Sequence, residues 1–166
     1  DLSATGTATV SQATTIENAS NSGTNTYDIE DTAAALAASS NVVLTLAGTV
    51  TATGNATVSE AETLAGFTKA VVYDVEGTVA DIVAALGGSA GAQAGINDAV
   101  DLSATGTATV SQATTISNAS NSGTTTIAVL SDTATAVAGS SNTVLDLVTG
   151  TVTATGNATV SEAETL

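Results

Sequence analysis

The chain lacks six residue types altogether and carries a single cation. It has no Cys, Pro, Met, Trp, His or Arg, and Lys69 is its one basic residue. Without Cys there are no disulfides, and without His or Cys the usual general bases and thiol nucleophiles of enzymes are missing. A surface without basic patches repels nucleic acid. We therefore expect no enzymatic activity and no nucleic-acid partner.

Aromatic residues and long apolar runs are also scarce. Tyr27, Phe67 and Tyr73 are all the aromatics, and no apolar run approaches the ~18 residues of a transmembrane helix, so we expect no membrane insertion. Asp and Glu number 16, and the formal net charge is −15. Hydrophobic residues nevertheless make up 43% of the chain, whereas disordered chains combine high charge with low hydrophobicity. The composition therefore predicts a folded chain with a thin core and an acidic surface that binds divalent cations diffusely.

The sequence repeats itself over long distances. Residues 1–16 (DLSATGTATVSQATTI) recur unchanged at 101–116, and residues 49–64 (TVTATGNATVSEAETL) recur unchanged at 151–166. A period near 100 residues with this fidelity is typical of repeat arrays, which bury their cores between neighbouring repeats. The repetition predicts contact, end to end, with neighbouring copies of the same repeat or protomer.

A shorter unit of about 25 residues lies within the long repeat. Each unit has a short strand pattern and a polar turn, followed by a Thr that starts a helical stretch; these are Thr9, Thr32, Thr57, Thr78, Thr109, Thr133 and Thr159. The spacing matches the ~20–29 residues of strand-plus-helix repeats, and strands joined by helices are parallel with right-handed crossovers. We therefore predict an α/β solenoid with one parallel β-sheet, short helices and about 25 residues per coil, or alternatively an all-β solenoid. Residues 1–100 form the first long repeat of about four coils, and 101–166 form a truncated second one.

The predicted helix starts carry a recognisable capping signal. Thr57-Val-Ser-Glu60 and Thr159-Val-Ser-Glu162 fit the capping box, in which the Thr and Glu side chains each accept a hydrogen bond from the other residue's backbone N–H. The amide version pairs Thr9 with Gln12 and Thr109 with Gln112. These pairs predict that a helix begins directly after each of the four threonines.

Other local patterns complete the predicted coil. Residues 71–75 alternate in polarity as a strand does, and residues 79–86 carry an apolar stripe with helical spacing that ends at two glycines. Asp31 and Asp132 precede Ala-rich runs that they could cap. Residues 87–99 (GGSAGAQAGINDA) are predicted to form a surface loop.

Blocks such as YDIEDTAAAL, YDVEGTVADI and ATGNATVSEAETL resemble repeats of very large secreted or surface proteins of bacteria, often described as haemolysin-like or adhesin-like. The resemblance covers nearly the whole chain and implies an extracellular or cell-surface location and a structural or adhesive role. The glycine-rich calcium nonapeptide GGxGxD of haemolysin-type toxins is absent, and the nearest stretch, at residues 87–92, lacks the Asp. The calcium-binding mechanism of those toxins is therefore not implied.

Calcium is the one metal or cofactor that the sequence suggests. Asp28, Glu30 and Asp31 cluster, as do Asp74 and Glu76, and carboxylates are the hard oxygen ligands that Ca²⁺ prefers. Alternatively, Asp28 and Asp74 are outward-facing strand residues and Asp31 is a helix cap. No EF-hand pattern is present, so these five residues are a hypothetical site only.

The functional expectation is a structural repeat segment of an extracellular bacterial filament, sheath or giant surface protein. One alternative is an adhesin stalk or ligand-binding array, stabilised by calcium. A less favoured one is an ice-binding solenoid, suggested by rows of Thr at 49, 51 and 53 and at 151, 153 and 155. Because Thr also favours strands in general, the rows have a simpler explanation.

Overall fold

A computed structural model describes residues 1–166, with seven strands and ten helices. The strands are β1 (Leu2–Ala8), β2 (Asn25–Thr32), β3 (Val50–Thr53), β4 (Val75–Thr78), β5 (Leu102–Ala108), β6 (Thr125–Thr133) and β7 (Val152–Thr155). The helices are α1 (Val10–Glu17), α2 (Ala33–Ala37), α3 (Asn41–Leu46), α4 (Val58–Ala65), α5 (Val79–Leu86), α6 (Ala90–Asn97), α7 (Val110–Ser117), α8 (Ala134–Ala138), α9 (Asn142–Leu145) and α10 (Val160–Ala163).

The strands form two separate parallel sheets. One has the order β1-β2-β3 and the other β4-β5-β6-β7. Between them lie only isolated bridges, Thr51 with Val72 and Ala56 with Val75, because the chain before β4 does not form a continuous strand. The predicted α/β solenoid with one parallel sheet is therefore wrong, and so is its all-β alternative.

The prediction of one short helix in each 25-residue coil is also wrong. The chain has ten helices, because α3, α6 and α9 are additional to the Thr-led helices on which the 25-residue period was based. The 166 residues thus form a small α/β domain with sheets of three and four strands, and they do not stack as uniform repeats.

The predicted helix starts are confirmed. All seven threonines are N-cap residues whose hydroxyl accepts a hydrogen bond from a backbone N–H in the first turn. The four capping boxes are complete, with Gln12, Glu60, Gln112 and Glu162 each accepting from the backbone N–H of the capping Thr. The pattern of Thr followed three residues later by Gln or Glu was sufficient to predict these helix starts, because a capping box involves only residues close in sequence.

Three local predictions are wrong. Residues 87–99 are not a surface loop, because they contain α6 and bury Ile96. The predicted strand at 71–75 begins only at Val75, although its alternation of buried and exposed faces is as expected. Asp31 and Asp132 do not cap the helices that follow them, since Thr32 and Thr133 hold those positions.

The core is thin and aliphatic, as the composition suggests. Thirty buried apolar residues form one connected cluster, and no polar or charged residue is buried. Two buried tyrosines bring their hydroxyls to helix carbonyls: Tyr27 Oη donates to the oxygen of Val43 at 2.9 Å, and Tyr73 Oη to that of Gly95 at 3.1 Å. Each tyrosine therefore joins a buried strand segment to a neighbouring helix.

Candidate interaction surfaces

The first exposed edge lies at β1. Its identical copy, β5, has a neighbouring strand on both sides, whereas β1 has one on one side only. Leu2 and Leu102 occupy the same position in identical sequences, yet Leu2 is 41% exposed and Leu102 only 1%. The difference arises because β5 has β4 on one side and β6 on the other, whereas β1 pairs with β2 alone. The N-terminal edge, β1 with α1, therefore leaves uncovered a face that the second copy buries.

The second exposed edge is residues 151–166, hereafter the C-terminal edge, which comprises β7 and α10. Val152 is 41% exposed, whereas its counterpart Val50 is 1% exposed. Leu166 is exposed and its counterpart Leu64 is fully buried. The two sequences are identical, so the difference is due entirely to their neighbours.

Backbone groups at the C-terminal edge also lack partners that the first copy has. The N–H of Ala56 donates to the carbonyl oxygen of Asp74 at 2.7 Å, and the carbonyl oxygen of Ala56 accepts from the N–H of Glu76 at 3.0 Å. The counterpart Ala158 makes neither bond and is exposed. The difference between the two copies follows from residues 65–100, which come after the first copy in the chain and supply these bonds.

Asp28 and Asp74, two of the predicted calcium ligands, instead connect neighbouring chain segments. Asp28 Oδ1 accepts hydrogen bonds from the backbone N–H of Thr49 at 2.6 Å and from its hydroxyl at 2.8 Å. These bonds lower the pKa of the Asp28 carboxyl. Asp74 Oδ1 accepts from the N–H of Asp101 at 3.0 Å. Both carboxylates therefore have structural partners on the segment that follows.

Asp31 has a similar structural role, and Glu30 is exposed. Asp31 Oδ2 accepts from the backbone N–H of Val10 at 3.0 Å, and Oδ1 accepts from the N–H of Thr32 at 2.8 Å. Glu30 is exposed on β2, paired in register with Thr51 of β3. Asp28, Glu30 and Asp31 are close in sequence, but their side chains therefore have different neighbours in the structure.

Glu76 lines an acidic groove of about 600 Å³ next to α4, together with Glu62 and Asp81. Its Oε2 accepts from Asn55 Nδ2 at 3.1 Å. No group of three or more His, Cys, Asp or Glu side chains in the molecule is arranged to hold a metal ion. The groove can attract cations through its charge, and the specific calcium site stays a prediction.

The predicted threonine rows are matched only in part by Thr on the neighbouring strands. Thr51 lies beside Glu30 on β2 and beside Val72 at the isolated bridge. Thr153 lies beside Ser131 on β6. Thr53, however, pairs in register with Thr32, and Thr155 with Thr133, so each row has one matched Thr pair that spans two strands.

Comparison with protein-family models, with curated proteins and with solved structures finds no match for this chain. None of its helices has both the length and the apolar character needed to cross a membrane. What the chain does must therefore be inferred from its own surfaces, of which the two edges are the most distinctive.

Sequence reasoning did not identify the exposed residues of the C-terminal edge. Val152, Ala158 and Val160 look like core residues in the sequence, and in the first copy their counterparts are buried or half-buried. The repetition carried the signal that could have found them.

Proposed function

We propose that this chain is a structural segment of an extracellular bacterial filament, sheath or giant surface protein, extended at its two edges by protein with the same repeats. The observation that carries the proposal is the unchanged recurrence of residues 1–16 at 101–116 and of residues 49–64 at 151–166, which is typical of repeat arrays. The proposal assigns the chain no catalytic role.

The character of the edges supports this role. Natural edge strands are commonly protected by Lys, Pro or inward-pointing charges, which prevent pairing with other chains. The β7 sequence, Val-Thr-Ala-Thr, has none of these features. Apart from its shortness, β7 therefore carries no feature that opposes pairing with a further strand of the same repeats.

The surface charge fits an extracellular protein that is kept apart from its lateral neighbours. A net charge of −15 opposes contact side by side. Divalent cations at the surface would reduce this repulsion by screening and bridging. Lateral association is therefore expected to increase with divalent cations, and end contacts to depend on apolar packing.

Immunogold electron microscopy of intact producing cells tests this function. Antibodies raised against the purified chain should label filaments, a sheath or the cell surface without permeabilisation. Labelling that appears only after the cells are permeabilised would overturn the proposal. Antibodies depleted on the purified chain provide the matched control.

A further inference from the structure

The chain contains a modification motif that the proposed function does not use. The sequence Asn-x-Ser/Thr, the acceptor for N-linked glycans, occurs four times, at Asn18, Asn55, Asn118 and Asn157. Asn55 and Asn118 lie well inside the chain, with strands and helices packed before and after them. The surroundings of these two sites can therefore be compared directly.

The motif at Asn118 is open to solvent directly after α7. Both Asn118 and Ser120 are exposed, and neither side chain makes a hydrogen bond within the molecule. The segment is held by its backbone instead: the N–H of Asn118 donates to the oxygen of Thr115 at 3.3 Å, and the N–H of Ser120 donates to Asn97 Oδ1 at 3.0 Å. The amide and the hydroxyl that define the motif are therefore both available.

The local fold does not account for an Asn at position 118. Asn118 ends α7 with a φ of −89°, outside the left-handed region in which Asn is favoured at helix ends. Residues 18–24 nevertheless recur unchanged at 118–124, although the residues on either side of this stretch differ. Asn121 in the same stretch has an internal partner, since its Nδ2 donates to the oxygen of Val100 at 3.1 Å. The recurrence of Asn118 has no such explanation.

A shallow uncharged groove adjoins Asn118. It has a volume of about 310 Å³ and is lined by Leu86, Gln93, Asn97, Thr115, Asn118 and Ser120. The amide and hydroxyl groups of this lining can donate and accept hydrogen bonds, as the hydroxyl groups of a sugar do. The groove therefore suits the first sugar of a glycan attached to Asn118.

The motif at Asn55 is closed by contacts within the molecule. Asn55 Nδ2 donates to Glu76 Oε2 at 3.1 Å. Ala56 is fully buried, and both its N–H and its carbonyl oxygen are bonded to the segment that follows. The hydroxyl of Thr57 caps α4 and donates to Glu60 Oε2 at 2.9 Å. The amide and the hydroxyl of this motif are therefore already engaged.

We propose that the folded chain carries an N-linked glycan on Asn118 and on its counterpart Asn18, and none on Asn55. The donor is a sugar activated as its diphosphate ester, and a separate glycosyltransferase catalyses the step. Asn118 Nδ2 forms a bond to the anomeric carbon of the sugar, and the bond from that carbon to the diphosphate oxygen breaks. The diphosphate leaves with the bonding electrons, and the amide loses one proton to a base of the transferase. This modification goes beyond the proposed function and does not depend on it.

Mass spectrometry of the protein isolated from its producing cells tests the proposal. Proteolysis on the N-terminal side of Asp yields fragment 101–131, whose one motif is at Asn118, and fragment 31–73, whose one motif is at Asn55. The expected result is a sugar on Asn118 in the first fragment and an unmodified second fragment. An unmodified fragment 101–131 overturns the proposal, as does equal modification of both fragments or a sugar attached to Ser or Thr instead of Asn118.

Serine variants made in the producing cells complete the test. Ser120→Ala should reduce the glycan at Asn118 at least about tenfold, because the motif requires the hydroxyl, whereas Ser120→Thr should be modified like the parent. Ser122→Ala is the matched control, because Ser122 is also exposed, makes no side-chain hydrogen bond and lies outside the motif. Undiminished modification of Ser120→Ala overturns the proposal. Surface labelling without a glycan, or a glycan without surface labelling, overturns only one of the two proposals, so they fail separately.

Discussion

The carboxylate of Asp132 accepts a hydrogen bond from the backbone N–H of Val110 at 3.0 Å, across 22 residues of chain. Asp31 makes the same contact with Val10, also at 3.0 Å. The first N–H groups of a helix have no partner within the helix, so these carboxylates satisfy donors of α7 and α1. Each Asp therefore caps the helix before it in the chain, on the neighbouring segment, instead of the helix that follows it.

Replacing Asp132 tests this capping across segments. We expect Asp132→Ala to reduce the free energy of unfolding by about 1 kcal/mol, the usual value of a lost capping acceptor. Asp132→Asn keeps an acceptor oxygen and should lose less. Urea unfolding followed by far-ultraviolet circular dichroism measures both variants, and equal losses would show that the negative charge matters more than the hydrogen bond.

Tyr73 should make the protein sensitive to alkaline pH. Burial, and secondarily the charge of Asp98, raise the pKa of Tyr73 from 10.0 to about 12. Between these values the folded state holds a proton that the unfolded state has lost, so stability is complete below pH 10 and falls as the pH rises towards 12. The melting temperature should therefore decrease over this range.

The variant Tyr73→Phe should flatten this pH dependence. At pH 7 it should be less stable by about 1 kcal/mol, because the Gly95 carbonyl loses its donor. Above pH 10 the difference from the parent should narrow or reverse. A pH profile of the variant parallel to that of the parent would show that another group is responsible.

Two glycines of α6 provide a matched pair for testing helix packing. Gly95→Ala should destabilise the protein by roughly 1–3 kcal/mol, because its Cβ would meet the α4 backbone. Gly91→Ala, one turn earlier, meets only a flexible carboxylate and should be neutral or stabilising by up to about 1 kcal/mol through better helix propensity. Chemical unfolding of both variants gives the comparison, and similar effects at the two positions would contradict the packing argument.

The parts of the fold that were predictable from the sequence depend on neighbouring residues. The Thr-led helix starts were found because a capping box is completed within four residues. The interruption between the sheets was not found, because it depends on whether residues 71–74 pair continuously with β3. Helix α6 was missed for a related reason: Gly91 and Gly95 weaken its helix propensity, and the helix is stabilised by packing against α4.

The candidate surfaces were predictable only in part. Contact with neighbouring repeats was inferred from repetition alone, but the sequence could not say which residues would be exposed. Val152 and Val50 have the same local sequence, so no local rule can tell them apart. The sequence cluster also could not show that Asp28 and Asp31 accept hydrogen bonds from different segments, Thr49 and Val10, and the specific calcium site stays a prediction.

The positions of the tyrosines determine which part of the molecule near-ultraviolet spectroscopy can follow. Tyr27 and Tyr73 are both buried in the first long repeat, and the second copy has Ile127 in place of Tyr27 and no aromatic residue at all. With no tryptophan in the chain, near-ultraviolet absorbance and intrinsic fluorescence follow the neighbourhood of these two side chains and, weakly, of Phe67, all in the first long repeat. Residues 101–166 contribute no near-ultraviolet signal. If the near-ultraviolet signal and the far-ultraviolet circular dichroism change at different denaturant concentrations, the two halves of the chain unfold separately. No added label is needed for this measurement.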